Sequence, residues 1–249
     1  MNILHFNTLG STYTYVAEHA RSMASDTVVA ADYQSAGRGQ RGNTWESEAG
    51  KNLLMSMLVR MPSFPAGKQF FISEAVSLAI VSTLRERTGV ECRVKWPNDI
   101  YAGDRKITGI LISHSLRSEE SGEATIAHSV LGVGLNVNQE EFHSDAPNPV
   151  SVFQLTGKRH DVQELTRSVA EAIRANLDRL EQGGLTAMHE EYMGALWRGD
   201  GADYPFYDVA SGERFEASVY AVEPLGHLVL RTSPDGALRR YAFKEVAWL

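Results

Sequence analysis

Residues 26 to 61 read strand, loop, strand, and this order limits the fold more than any other feature. DTVVAAD, residues 26 to 32, has the length and apolar content of a buried strand. NLLMSMLVRM, residues 52 to 61, is a second strand with apolar residues on both faces. The connection contains GRGQRG, in which Gly37, Gly39 and Gly42 keep the GxGxxG spacing of a dinucleotide-binding turn. That fingerprint works only where its glycines open a helix that packs on the sheet. Here the chain runs on through NTWESEAGKN with no segment of helix length, so the dinucleotide reading fails. A P-loop fails too, because no Gly-Lys-Ser/Thr follows. What remains is a glycine backbone between two guanidiniums, Arg38 and Arg41. It either wraps an anion with amides and forked charge or is an ordinary basic turn.

The other segments fill out a mixed domain. Ser11 and Thr12 can cap a helix over YTYVAEHARSM. QFFISEAVSLAIVSTLRER, residues 69 to 87, has helical periodicity with an apolar stripe and a stop at Gly89. CRVKWPND is a strand interrupted by Pro97, and IYAGDRKITGILISHSL is a hairpin turning at Gly103 and Asp104. ATIAHSVLGVGLNVN, residues 124 to 138, is another core strand. DVQELTRSVAEAIRANLDRLEQGG is an amphipathic helix stopped by Gly183 and Gly184, and a short helix follows through HEEYMGALW. Then the texture changes. RGDGADYPF reads as a linker, and ERFEASVYAV, HLVLRT and RRYAFKEVAWL read as short strands. The expectation is an α+β fold, with a mixed sheet flanked by helices over residues 1–197 and a small β-barrel over 198–249.

A net charge of −7 gives no overall field for coating nucleic acid, so any basic patch has to be local. The single cysteine, Cys92, lies in the apolar run VECRVKW and reads as a buried thiol in a reducing compartment. No signal-peptide pattern opens the chain, and no apolar run nears the roughly eighteen residues that span a bilayer. A soluble cytoplasmic protein is expected.

Two lysines stand out. Lys95 precedes Trp96 in an apolar strand, where it either snorkels or is neutralised by a bound anion. Lys106 is the second residue of RKITG on the neighbouring segment, where the same two readings stand and the anion role is favoured. Asn98 and Asp99 follow Pro97, where an Asx-turn is the common outcome. Gly132 and Gly134 interrupt a β-branched strand and mark either a bulge or a close approach of a ligand to the backbone. The eight histidines lack ligand spacing, and His114 and His128 fall in strand-like runs that suit structural hydrogen bonding.

Taken together, ADYQSAGRGQRGNTW, KWPNDIYAGDRKITGILI and LGVGLNVN, in this order and at these separations, resemble the biotin–protein ligases. The resemblance covers nearly the whole chain, including SVFQLTGKRHD and the small C-terminal domain. Because the chain starts close to the first motif, it resembles the monofunctional members, which lack a DNA-binding domain. The resemblance implies a class II synthetase-like catalytic domain with ATP and biotin as substrates and Mg2+ accompanying the ATP. It implies a biotinyl-5′-AMP intermediate and transfer of biotin to a lysine of a biotin carboxyl carrier protein or domain. No nucleic-acid or membrane partner is implied, and members of the family can pair as homodimers through sheet edges.

Residue roles follow from the same resemblance. Lys106 matches the lysine at the junction of the biotin carboxyl and the phosphate, the first choice for a catalytic role. Gly37, Arg38, Gly39 and Gln40 match the loop that closes over biotin and the adenylate, and Arg41 holds phosphate. Ser11, Thr12 and Gln34 match the groups that recognise the ureido ring, and Gly109 lines the biotin pocket. Trp45 packs by the adenine, while Asn98 and Asn136 belong to the nucleotide side. Lys95, Asn98 and Asp99 border the phosphates, a magnesium ion or the incoming acceptor lysine, with Asp99 orienting or deprotonating that amine. The glycine loop is expected to be a lid with little reason to stay ordered without a ligand. Two positions depart from the family: Gln40 stands where many members have a third arginine, and Tyr13 where asparagine usually follows Ser-Thr. Two rivals remain. A lipoate or octanoate ligase has no need of a ureido-recognising set, and a non-catalytic carrier-domain adaptor has no use for buried cations.

Overall fold

A computed structural model describes residues 1–118, 122–143 and 147–249, the side chain of Arg41 excepted. Strands β1 (Asn2–Leu9) and β2 (Thr27–Gln34) run parallel, joined by helix α1 (Thr12–His19). Ser11 caps α1 as expected, its Oγ accepting from the Thr14 amide at 3.4 Å. β1 has no counterpart in the sequence reading. It is an edge strand whose exposed and half-buried positions do not alternate cleanly, so period-two patterning is weak. β3 (Leu53–Pro65) pairs antiparallel with β2. Helix α2 (Phe70–Thr88) stops at Gly89, which takes the left-handed φ of 72°. β4 (Arg93–Lys95), β5 (Asp99–Ala102), β6 (Arg105–Ser118) and β7 (Ala124–Leu135) complete a seven-stranded sheet in the order β1-β2-β3-β7-β6-β5-β4. Only the β1–β2 pair is parallel. Helices α3 (Val152–Thr156), α4 (Val162–Glu181) and α5 (Leu185–Gly194) follow.

The sheet is covered on both faces, as the two-sided apolarity of residues 52 to 61 requires. Met55, Met57 and Val59 join the large core on the α2 side, whereas Leu58 packs with Val16, Ala20, Val29 and Val130 under α1. Successive side chains of one strand thus serve two layers. α2 departs from the expected apolar stripe: it is buried around most of its circumference. The sheet, α4, α5 and a turn at Pro224–Gly226 enclose it, so no face of its first three turns is left to be polar.

Polar residues on α2 are therefore caught inside, and Glu74 is the ionisable one. Glu74 is 1% exposed, and burial pushes its carboxyl up to about 7, against the opposing hydrogen bond from His189 at 2.9 Å. Below about pH 4.5 the folded and unfolded carboxyls are both protonated, and the contribution to stability is full. As pH rises through about 7 the folded protein has to ionise a buried acid, and that contribution is lost. Glu74→Gln is expected to match the wild type in urea unfolding near pH 4.5 and to exceed it at pH 8, by on the order of 3 kcal/mol.

The C-terminal part is a five-stranded antiparallel sheet made of β8 (Tyr204–Asp208), β9 (Arg214–Val222), β10 (Leu228–Ser233), β11 (Leu238–Tyr241) and β12 (Val246–Trp248). Its order is β11-β10-β9-β8-β12. The linker-like stretch is partly strand, since β8 begins at Tyr204, and RRYAFKEVAWL breaks at a turn closed by Glu245 N to Ala242 O at 3.1 Å. The break lets β12 cross to pair with β8. Phe206, Leu228, Leu230 and Val246 share one apolar cluster with Phe70 and Trp96 of the larger sheet's layer. Trp96 Nε1 donates to Gly226 O at 3.0 Å across the same seam. The structural reading of His114 and the buried reading of Cys92 hold: His114 meets Ser129 Oγ at 2.8 Å with burial pushing it down to about 4, and burial pushes the Cys92 thiol up to about 12. Among the described residues, no helix is long and apolar enough to cross a membrane.

Candidate active site

A cavity of about 960 Å³ opens on the α1 face of the large sheet. Its floor is backbone. Gly109 on β6 and Gly134 on β7 are direct cross-strand partners. A Cβ at Gly134 would stand 2.6 Å from Trp45 Cε2, and one at Gly109 would stand 2.7 Å from Trp45 Cζ3. The two glycines form a shelf, and the Trp45 indole lies on it. A Cβ at Gly132 would meet Tyr13 Cδ2 at 3.2 Å. β7 keeps its register through both glycines, so of the two readings of LGVG the close approach is the right one.

At one end the cavity is lined by uncharged polar groups. The Thr12 amide donates to Gln34 Oε1 at 2.7 Å, and Thr12 Oγ1 donates to the same oxygen at 3.1 Å. Thr12 Oγ1 also meets Ser56 Oγ at 2.9 Å. With its carbonyl oxygen engaged twice, Gln34 keeps its Nε2 protons for another partner. Ser11 completes this end at the mouth of α1.

The middle of the cavity carries charge. Lys106 Nζ lies 2.7 Å from Asp99 Oδ1 and 5.9 Å from the Trp45 ring. The Lys106 backbone is pinned on both sides, donating to Asn148 O at 2.8 Å and accepting from the Val150 amide at 2.9 Å. Lys95 Nζ donates to Tyr101 Oη at 3.0 Å and sits over the Tyr101 and Trp197 rings. Burial lowers its pKa, partly offset by Asp99. Lys95 is therefore more than a snorkelling side chain: its head group is held in an aromatic corner of the cavity wall. Asn98 Nδ2 donates to Ile110 O at 2.9 Å, which commits its amide to holding the chain after Pro97. Asn136 Nδ2 donates to Val150 O at 3.1 Å, while its buried Oδ1 has no partner.

Backbone hydrogen bonds cross the glycine loop. Gly39 N donates to Asn43 O at 2.7 Å, Trp45 N to Gly37 O at 3.1 Å, and Arg38 bridges to Thr44. A single 3-10 turn over Gln40–Gly42 closes its tip, with Gly42 at φ 88°. This hairpin-like closure replaces the ladder that a strand would have used. Ser11, Thr12, Gln34, Arg38, Gly39, Gln40, Trp45, Lys95, Asn98, Asp99, Lys106, Gly109 and Asn136 all line the one cavity. Gly37 does not line it. Gly37 is buried at the neck of the loop, where a Cβ would stand 2.7 Å from Trp45 O. The Arg41 side chain lies outside the described residues.

Sequence reasoning missed several lining residues. Ser56 is the lone polar residue within LLMSMLV, and that anomaly could have found it. Phe243, Lys244 and Trp248 line the cavity from the small sheet, and nothing local in the sequence announces that.

The chain is similar to known proteins in sequence and in fold. The profile of the biotin/lipoate A/B protein ligase family matches residues 6–136. The bifunctional ligase/repressor BirA of Salmonella typhimurium is 33% identical over 186 residues, covering 74% of this chain and 56% of that protein. The biotin–[acetyl-CoA-carboxylase] ligase of Mycobacterium tuberculosis is 35% identical over 144 residues, covering 55% of this chain and 50% of that protein. The chain thus spans about half the length of these curated relatives. The solved structure of biotin protein ligase from Aquifex aeolicus, in complex with biotin and ATP, superposes with a TM-score of 0.79. It covers 99% of this chain and 97% of that one at 21% identity, a likeness of fold. The chain belongs to the biotin/lipoate A/B protein ligase family.

Proposed function

We propose that this protein is an ATP-dependent biotin–protein ligase. One observation carries the reading: a single cavity joins an uncharged hydrogen-bonding end, built by Thr12, Gln34 and Ser56, to an ion-paired lysine at Lys106. A urea-like ring needs the first and a carboxylate beside a phosphate needs the second. In the first step a biotin carboxylate oxygen attacks the α-phosphorus of ATP and pyrophosphate leaves. The reacting groups are both anionic, so positive charge fixed beforehand lowers the barrier. Lys106, held by Asp99 and by its own backbone bonds, is that charge. Arg38 and Lys95 add to it, and Arg41 is assigned to phosphate. Trp45 packs by the adenine, and the unpartnered Asn136 Oδ1 offers an acceptor on the nucleotide side. Mg2+ enters with ATP as part of that substrate.

In the second step a lysine amine of a carboxylase carrier domain attacks the biotinyl carbonyl, and AMP leaves. A free lysine has a pKa near 10.4, so the amine has to lose a proton first. Asp99 is the carboxylate paired with Lys106 at the site, and it orients or deprotonates that amine. The division into residues 1–197 and 198–249 is kept as part of this proposal, with the small sheet closing one side of the cavity.

ATP–pyrophosphate exchange with biotin, lipoate and octanoate side by side tests the reading. Exchange is expected with biotin. Exchange with lipoate or octanoate in its place would make the chain a ligase of a linear acyl acid, and exchange with none would favour a carrier-domain adaptor.

A further inference from the structure

Beside the nucleotide half of the cavity lies a buried amide whose bonds no part of the chemistry above requires. Gln139 is 0% exposed. Its Oε1 accepts from Asn52 Nδ2 and from the Glu48 amide at 3.2 Å. Its Nε2 donates to Glu141 O at 2.8 Å and to Glu46 Oε1 at 3.5 Å. All four hydrogen-bonding positions of the side chain are used. The same Glu46 oxygen accepts from the His143 amide at 2.8 Å. One oxygen of Glu46 thus receives a side-chain amide and a backbone amide at once and ties the two donors together.

The junction joins two separate stretches of the cavity wall. Glu46 directly follows Trp45 on the glycine loop, and His143 belongs to the segment after β7. We propose that Glu46 is a positioning residue. Through Gln139 and the His143 amide it staples the glycine loop to the segment after β7 and so keeps the Trp45 indole over the Gly109–Gly134 shelf. The consequence for catalysis rests on the reading of this cavity as the ATP and biotin site. The staple favours the nucleotide, because it fixes the indole and leaves the Thr12–Gln34–Ser56 end untouched.

Two substitutions and two measurements test this. Glu46→Ala removes the acceptor, whereas Glu46→Gln keeps an oxygen that can receive both bonds. In the ligand-free protein, amide hydrogen exchange over residues 139–143 is expected to speed up about tenfold or more in Glu46→Ala and to stay near wild type in Glu46→Gln. In pyrophosphate exchange, Glu46→Ala is expected to raise the KM for ATP about tenfold with the KM for biotin little changed, and Glu46→Gln to restore it. Unchanged amide exchange in Glu46→Ala would overturn the staple. Equal impairment of both variants would overturn it too, since the effect would then belong to the charge. A wild type that exchanges no pyrophosphate would sink the ligase reading, while the amide exchange still decides the staple.

Discussion

Lys106→Ala lowers biotin-dependent ATP–pyrophosphate exchange by about two to three orders of magnitude, the scale of losing a central electrostatic donor. The expectation rests on placement. Lys106 Nζ is 2.7 Å from Asp99 and its backbone is fixed by the 148–150 segment, so the ammonium needs little rearrangement when the anions arrive. Removing it does more than delete a charge. Asp99 is left as an unpaired anion beside two reacting anions, and the site changes sign locally. The loss is expected mainly in kcat, because the cation matters most as charge redistributes at the α-phosphorus. Asp99 remains about one-fifth exposed, so water can solvate it and the variant should fold. Near-normal exchange in a folded Lys106→Ala protein would remove this lysine from the chemistry.

Gly134→Ala is expected to cost about a hundredfold in kcat/KM while leaving the sheet folded. The added methyl meets three atoms of the Trp45 indole at 2.6 to 2.9 Å, distances that real Cβ atoms do not hold. The strand has partners on both sides, so β7 cannot retreat, and the indole has to move instead. An active-site group displaced by about 1 Å can cost a factor of about a hundred. Trp45→Phe in the Gly134→Ala background should recover part of the loss, because the smaller ring clears the methyl. Crossing the two substitutions separates a blocked shelf from a weakened strand. If Gly134→Ala alone melted much earlier and Trp45→Phe gave no recovery, the shelf would be a packing feature only.

Parts of the chain were legible because the physics is local. The β5–β6 hairpin is announced by Gly103 and Asp104, and α4 by its amphipathic spacing and the stop at Gly183 and Gly184. The missing helix after GRGQRG excluded a dinucleotide fold from the sequence alone, and the loop indeed contains only a 3-10 turn. Other features needed the third dimension. β1 shows no clean alternation because it is an edge strand. α2 shows no clean stripe because it is enclosed on nearly every side. The site was legible to the extent that its residues sit in compact motifs. Ser56 hid inside an apolar run, and Phe243, Lys244 and Trp248 come from a distant stretch that only tertiary packing brings near. The cross-loop bonds from Gly39 and Trp45 are likewise invisible in composition.

The apolar cluster shared by the two sheets bears on how lesions in this protein will be read. A cavity-forming change at Phe206 or Leu230 lies far in sequence from every residue that handles substrate. Yet those side chains pack within the sheet whose strand β12 carries Trp248 to the cavity and whose β11–β12 turn carries Lys244 there. Loosening that packing is expected to shift the small-sheet side of the cavity before it unfolds the chain. Mutations that a stability screen would class as remote will therefore surface first as leaky or sluggish catalysis, and a map of activity alone will draw the working site larger than the set of residues that touch the reactants.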